Sequence, residues 1–94
     1  MARLTPHEIQ QAAVAVPEWQ LTGNAITRSF VFRDFVDAIR FVNRVAEPAE
    51  ASRHHPDIDI RWNKVTLALS THDAGGLTSK DFDLAQKLDK LVES

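Results

Sequence analysis

The chain has 94 residues, a formal net charge of −2 and no cysteine, with 44% hydrophobic and 26% charged residues. That length suits one domain over residues 1–94, with the composition of an ordinary soluble globular protein. The charge leaves no basic footprint for direct nucleic-acid binding, the missing thiols exclude a disulfide scaffold and thiolate chemistry, and no apolar run approaches membrane-spanning length.

Thr5-Pro6-His7-Glu8 reads as a helix start: Thr5 caps, Pro6 suits the first helical position and Glu8 closes a capping box. The helix should run through Ile9, Ala12, Ala13 and Val16 and stop at Pro17. Trp19-Gln20-Leu21-Thr22 then alternates, Gly23-Asn24 signals a turn, and Ala25 to Phe32 alternates again, with Ile26, Phe30 and Phe32 on one face. After Phe32 the period lengthens. Phe35, Ile39, Val42, Ala46 and Ala49 share a stripe, with Ala38 and Val45 beside it, behind a plausible Asp34 cap. This predicts the longest helix, ending near Arg53. Pro48 lies within it, removing a backbone donor and crowding the carbonyl of Arg44, so the helix should kink or end early there.

A second hairpin follows. Ile58, Ile60 and Trp62 alternate with Asp59 and Arg61, Asn63-Lys64 makes the connection, and Val65, Leu67 and Leu69 alternate with Thr66, Ala68 and Ser70. Asp73-Ala74-Gly75-Gly76 is a loop, and Thr78-Ser79-Lys80-Asp81 opens a last helix carrying Phe82, Leu84, Ala85, Leu88, Leu91 and Val92. Two hairpins joined by a helix predict an α+β fold: a four-stranded antiparallel sheet with three helices packed on one face. The opposite face is either solvated or meets another subunit.

Acid/base chemistry concentrates in His54, His55 and His72, because an unperturbed imidazole titrates near neutrality. Pro56 biases His55 toward extended backbone, and the chain must turn on leaving the helix if both neighbours are to reach one site. Pairing across the second hairpin folds His72 back toward Asp57, and hence toward His54-His55. Glu50 precedes His54 by one helical turn. On spacing alone that pair is a surface contact worth about 0.2–0.5 kcal/mol, but at a site the carboxylate would favour the protonated imidazole. Three histidines with Glu50 or Asp73 could supply zinc ligands, yet the helical spacing of metalloproteases is absent, so acid/base use without a metal is the favoured reading. His7 is isolated, Ser52, Ser70 and Ser79 lack a nucleophile-elbow context, and Gly75-Gly76 lacks the lysine of a phosphate loop.

The run Glu50-Ala51-Ser52-Arg53-His54-His55-Pro56, followed by Trp62-Asn63-Lys64-Val65, Ser70-Thr71-His72-Asp73, Gly76-Leu77 and Asp81, resembles the pterin-4a-carbinolamine dehydratase family. Phe32-Arg33-Asp34-Phe35 matches as well, so the resemblance spans nearly the whole chain. It implies removal of water from 4a-hydroxytetrahydropterin, which recycles the cofactor of aromatic amino acid hydroxylases and requires no cofactor of its own. By position, His54, His55 and His72 match the family's active-site histidines, and Glu50, Pro56, Trp19 and Asp81 match residues at or around its pterin pocket. Each of the last two also has a plainer reading: Trp19 as core, and Asp81 as a helix cap. The resemblance also implies self-association as a dimer or tetramer through a sheet edge and helices, and the lack of cysteine is compatible with a cytoplasmic location. The alternatives are a non-catalytic binding module, such as a transcription-factor dimerisation partner, or an accessory protein serving a hydroxylase or molybdopterin metabolism.

Overall fold

Three helices and four strands follow one another as α1 (Pro6–Ala13), β1 (Gln20–Thr22), β2 (Ala25–Val31), α2 (Phe35–Ser52), β3 (Asp57–Arg61), β4 (Lys64–Leu69) and α3 (Ser79–Lys90), with a 3₁₀ turn at His72–Ala74. The computed structural model describes residues 2–92. The strands form one antiparallel sheet in the order β1-β2-β4-β3, giving the α+β architecture that the alternation of periods predicts.

The sheet has two unlike faces because side chains alternate along each strand. Ile26, Phe30, Val65, Leu67 and Leu69 lie on the helix side, none more than 5% exposed. Thr27, Ser29, Thr66 and Ala68 lie on the other side, where Ser29 and Thr66 oppose each other and share a hydroxyl–hydroxyl bond of 2.8 Å. Over β2 and β4 that outer face is otherwise built of small and polar groups, with Val31 its exposed apolar exception.

The caps of α1 and α2 form as their sequences dictate. Thr5 Oγ1 accepts from Glu8 N–H at 3.2 Å while Glu8 Oε1 accepts from Thr5 N–H at 2.9 Å. Asp34 Oδ1 accepts from Asp37 N–H at 2.9 Å. α1 ends earlier than its apolar pattern suggests. Beyond Ala13 the bonds tighten to i→i−3, Val16 N–H reaching Ala13 O at 3.0 Å, because the residue before Pro17 is disfavoured in helix. Val16 is nonetheless buried, 1% exposed.

α2 differs from expectation in two respects. Ala49 is buried as expected and so are the flanking Ala38 and Val45, but the stripe is rotated toward them and takes in Phe41, leaving Phe35 and Ala46 exposed. Phe41 decides this rotation: its ring lies 4.7 Å from Phe30 and 5.0 Å from Phe32, centroid to centroid, a cluster that periodicity on α2 alone does not reveal. Phe35, at the start of the helix, is left 50% exposed. Pro48 does not end the helix, which runs on to Ser52.

The second hairpin turns at Trp62-Asn63, one residue before the expected Asn63-Lys64, with Arg61 and Lys64 paired. Trp62 takes the left-handed conformation, φ 52. Two bonds fasten the turn to the end of β2: Phe32 N–H to Asn63 O and Asn63 Nδ2–H to Phe32 O, both 2.9 Å. Ile58 and Ile60 oppose Leu67 and Val65, so they share the core side of the sheet. They are still 43% and 38% exposed, since β3 is an edge strand beyond the cover of the helices.

One buried polar knot ties α3 to the first hairpin. Asp89 Oδ1 accepts from Trp19 Nε1–H at 2.8 Å and from Arg28 at 2.6 Å, and the Arg28 guanidinium stands 4.4 Å from the centre of the Phe30 ring. Trp19 is 6% exposed and edge-on to Phe30, so its place is the core.

Candidate active site

The site begins where α2 stops. Arg53 adopts the left-handed conformation, φ 53, and its N–H returns to Glu50 O at 3.1 Å while His54 N–H returns to Ala49 O at 3.1 Å. This double closure is the Schellman pattern, ordinarily built on glycine. A side chain there costs about 1–2 kcal/mol, strain of the kind found at functional sites. The reversal sends His54 inward and leaves His55 outside, and Pro56 then directs the chain into β3.

The neighbouring histidines therefore have opposite surroundings. His54 is 9% exposed and its Nε2 lies 2.5 Å from Oδ1 of Asp81, which is 0% exposed. His55 is exposed and its Nε2 lies 2.8 Å from Glu50 Oε1. The helical-spacing expectation that Glu50 serves His54 is thus corrected: the left-handed turn carries His54 away and brings His55 round to Glu50. Asp81 does carry the capping bond expected of the third helical residue, accepting from Thr78 N–H at 2.9 Å, but its other oxygen is spent on His54. Fully buried, it lies behind the cleft rather than in it.

His72 arrives by the route that hairpin geometry predicts. β3 and β4 pair Asp57 with Ala68, so the residues beyond them converge on His54-His55. The chain after β4 is closed by Thr71–Gly76 pairing, with N–H to O distances of 3.0 and 3.3 Å, and Gly75 takes φ 71 to complete that tight loop. His72 opens the 3₁₀ turn and is exposed. One cleft of about 410 Å³ is lined by Arg53, His54, His55, Pro56, Asp57, Ser70, Thr71, His72, Asp73 and Lys80, a volume in the range of small-molecule sites. It collects all three histidines and Pro56. Trp19 is not in its wall, nor are Glu50 and Asp81, each of which stands one bond behind a histidine.

Among the described residues no group of three or more His, Cys, Asp or Glu side chains is placed to hold a metal ion. The cleft brings the three imidazoles to its walls.

Two participants escaped the sequence reading. Thr71 Oγ1–H donates to Asp81 Oδ2 at 2.8 Å, and Thr71 Oγ1 lies 2.8 Å from Thr78 Oγ1. Thr78 shows in the sequence only as a capping residue. Thr71 carries no signal beyond its place before His72, because its partner lies in another element.

Comparison with known proteins points the same way. Residues 2–91 match the profile of the family described as Pterin 4 alpha carbinolamine dehydratase. A protein of Picosynechococcus sp., named as a candidate pterin-4-alpha-carbinolamine dehydratase, is 58% identical over 95% of this chain and 97% of its own. One from Acidobacterium capsulatum with the same name is 55% identical over 98% of this chain and all (100%) of its own. Among solved structures, a transcriptional coactivator/pterin dehydratase from Brucella melitensis superposes with a TM-score of 0.89 at 38% identity, covering 95% of this chain and 97% of that one. A pterin dehydratase-like protein described as a RuBisCO assembly factor of the α-carboxysome shares the fold, with a TM-score of 0.65 at 21% identity over 81% and 88% of the two chains.

Proposed function

The chain belongs to the pterin 4 alpha carbinolamine dehydratase family, and on that premise we propose that it is a lyase that removes water from 4a-hydroxytetrahydropterin to give quinonoid dihydropterin, recycling the pterin used by aromatic amino acid hydroxylases. The observation that carries this reading is the single cleft holding His54, His55 and His72, with His54 backed by the buried carboxylate of Asp81. In the reaction the C4a–O bond breaks, the N5 electron pair forms the C4a–N5 double bond and the N5 proton departs. One group protonates the leaving hydroxyl and another accepts the N5 proton, so His54 and His72 take these two roles. His55, held by Glu50, contacts and polarises the ring, and Pro56 forms part of the wall.

Stopped-flow decay of enzymatically generated 4a-hydroxytetrahydropterin tests the reading. The protein should accelerate decay, and His54→Ala and His72→Ala should each slow turnover by about 10²–10⁴-fold with unchanged circular dichroism. Full activity in both variants would overturn the assignment.

A second reading is favoured by the description of the Brucella melitensis relative as a transcriptional coactivator as well as a pterin dehydratase. A non-catalytic module would bind its partner equally well after either histidine is replaced. Self-association belongs to both readings. It is supported by the exposed Ile58 and Ile60 on the open edge strand, and unpaired edges invite such pairing. The double variant Ile58→Lys/Ile60→Lys should run as a monomer in light scattering where the parent does not. An unchanged mass would exclude that edge as the contact.

A further inference from the structure

Counting protons around Asp81 shows more than its partners do singly. Its Oδ2 accepts from Thr78 N–H at 2.9 Å and from Thr71 Oγ1–H at 2.8 Å, and its Oδ1 faces His54 Nε2 at 2.5 Å. An ionised carboxylate has no proton to give, so Asp81 as a carboxylate accepts on both oxygens and the contact at Nε2 is donated by the imidazole. A threonine hydroxyl has one proton. Thr71 spends its proton on Asp81, so the 2.8 Å contact between Thr71 and Thr78 hydroxyls must be donated by Thr78. The result is a one-way chain: Thr78 to Thr71 to Asp81, met from the other side by His54 Nε2–H.

The other imidazole nitrogen has no such partner. Among the described residues, Ser52 Oγ is the one buried side-chain polar atom left unbonded. His54 lines the cleft, and among the described residues its one side-chain bond is the one through Nε2.

We propose that the Thr71 hydroxyl is a positioning group: by donating to Asp81 Oδ2 it holds the carboxylate in the orientation that fixes neutral His54 as its Nε2–H tautomer, leaving Nδ1 as the proton acceptor facing the substrate. The role of Nδ1 rests on the dehydratase reading, whereas the tautomer does not. Without the Thr71 hydroxyl, Asp81 Oδ2 keeps only the Thr78 N–H, so the carboxylate is held by one bond fewer and the acceptor of His54 Nε2 is less firmly oriented. The other charged or titratable groups around the cleft are Arg53, His55, Asp57, His72, Asp73 and Lys80, and none of them is bonded to Asp81.

The test is ¹⁵N–¹H long-range correlation NMR of the imidazoles, run beside the stopped-flow assay on the whole chain. In the parent, His54 should appear as the Nε2–H form. Thr71→Val keeps the side-chain shape and deletes the hydroxyl. It should give mixed His54 tautomers and lower kcat about tenfold at unchanged KM, short of the 10²–10⁴-fold expected for loss of the base itself. Thr71→Ser restores the donor and should restore both readouts. If Thr71→Val does not fold, Asp81→Asn serves instead: its amide offers a donor to Nε2 and should drive His54 to the Nδ1–H form. A parent in the Nδ1–H form, or an unchanged tautomer in the variant, would overturn the proposal. A parent with the expected tautomer but no dehydratase turnover would count against the functional reading while leaving the hydroxyl chain standing.

Discussion

α3 carries two buried carboxylates, one near each end, and they have opposite roles. Asp89, 8% exposed, is held by Arg28 and Trp19. Asp81, 0% exposed, is held by His54, Thr71 and Thr78 N–H. A guanidinium keeps its charge at any working pH, and an indole N–H only donates, so the Asp89 knot has no proton to move and fastens α3 to the first hairpin. An imidazole exchanges protons near neutrality, so the same residue type at Asp81 supports a group that opens on a cleft. Burial alone does not distinguish structure from chemistry; the partner's ability to change protonation state does.

The sharpest way to break this contrast is to remove one partner from each end. His54→Ala should lower turnover by about 10²–10⁴-fold while thermal unfolding shows a folded protein. Asp89→Ala should do the reverse. It strands Arg28, whose side chain is 20% exposed, and should cost about 3 kcal/mol of stability by urea denaturation, with kcat unchanged in the folded fraction. If Asp89→Ala abolishes turnover without loss of stability, the division between the two ends is wrong.

A smaller effect sharpens the chemical end. Arg53 holds a left-handed conformation between α2 and His54. Arg53→Gly relieves that strain but adds freedom to the unfolded chain, so the net gain should be below about 1 kcal/mol, read as a modest rise in Tm. A fall in Tm would show that the Arg53 side chain contributes more than its backbone costs.

The smallest effect lies at α1, outside both networks. The bond from Thr5 N–H, aided by the Thr5 hydroxyl, holds the exposed Glu8 carboxyl below its ordinary range. A depressed carboxyl contributes stability above its unfolded-state pKa, and that contribution disappears as pH falls through the lowered folded-state value. Glu8→Gln should remove this part of the acid dependence in a pH series of Tm measurements and leave dehydration kinetics untouched.

Much of the molecule was legible along the chain. Caps at Thr5 and Asp34, the period change after Phe32, and the alternation of Val65, Leu67 and Leu69 are local signals, written within a few residues of the feature they specify. His72 was placed near His54-His55 because hairpin pairing is also nearly local. The errors share another character. The rotation of α2 was set by Phe41 against Phe30 and Phe32, and the Trp62-Asn63 turn by its clamp to Phe32.

The sequence by itself determined the order of elements, the alternation that divides the sheet into two faces, and the three imidazoles gathered by a helix end and a hairpin. The tertiary structure alone decided which carboxylate serves which histidine. The left-handed turn at Arg53 hands Glu50 to His55, and the packing of α3 brings Asp81 to His54 across 27 positions. Helical spacing fixes only neighbours within a turn or so. Pairing across elements depends on how buried side chains fill the space between them, and that is settled when the whole core assembles.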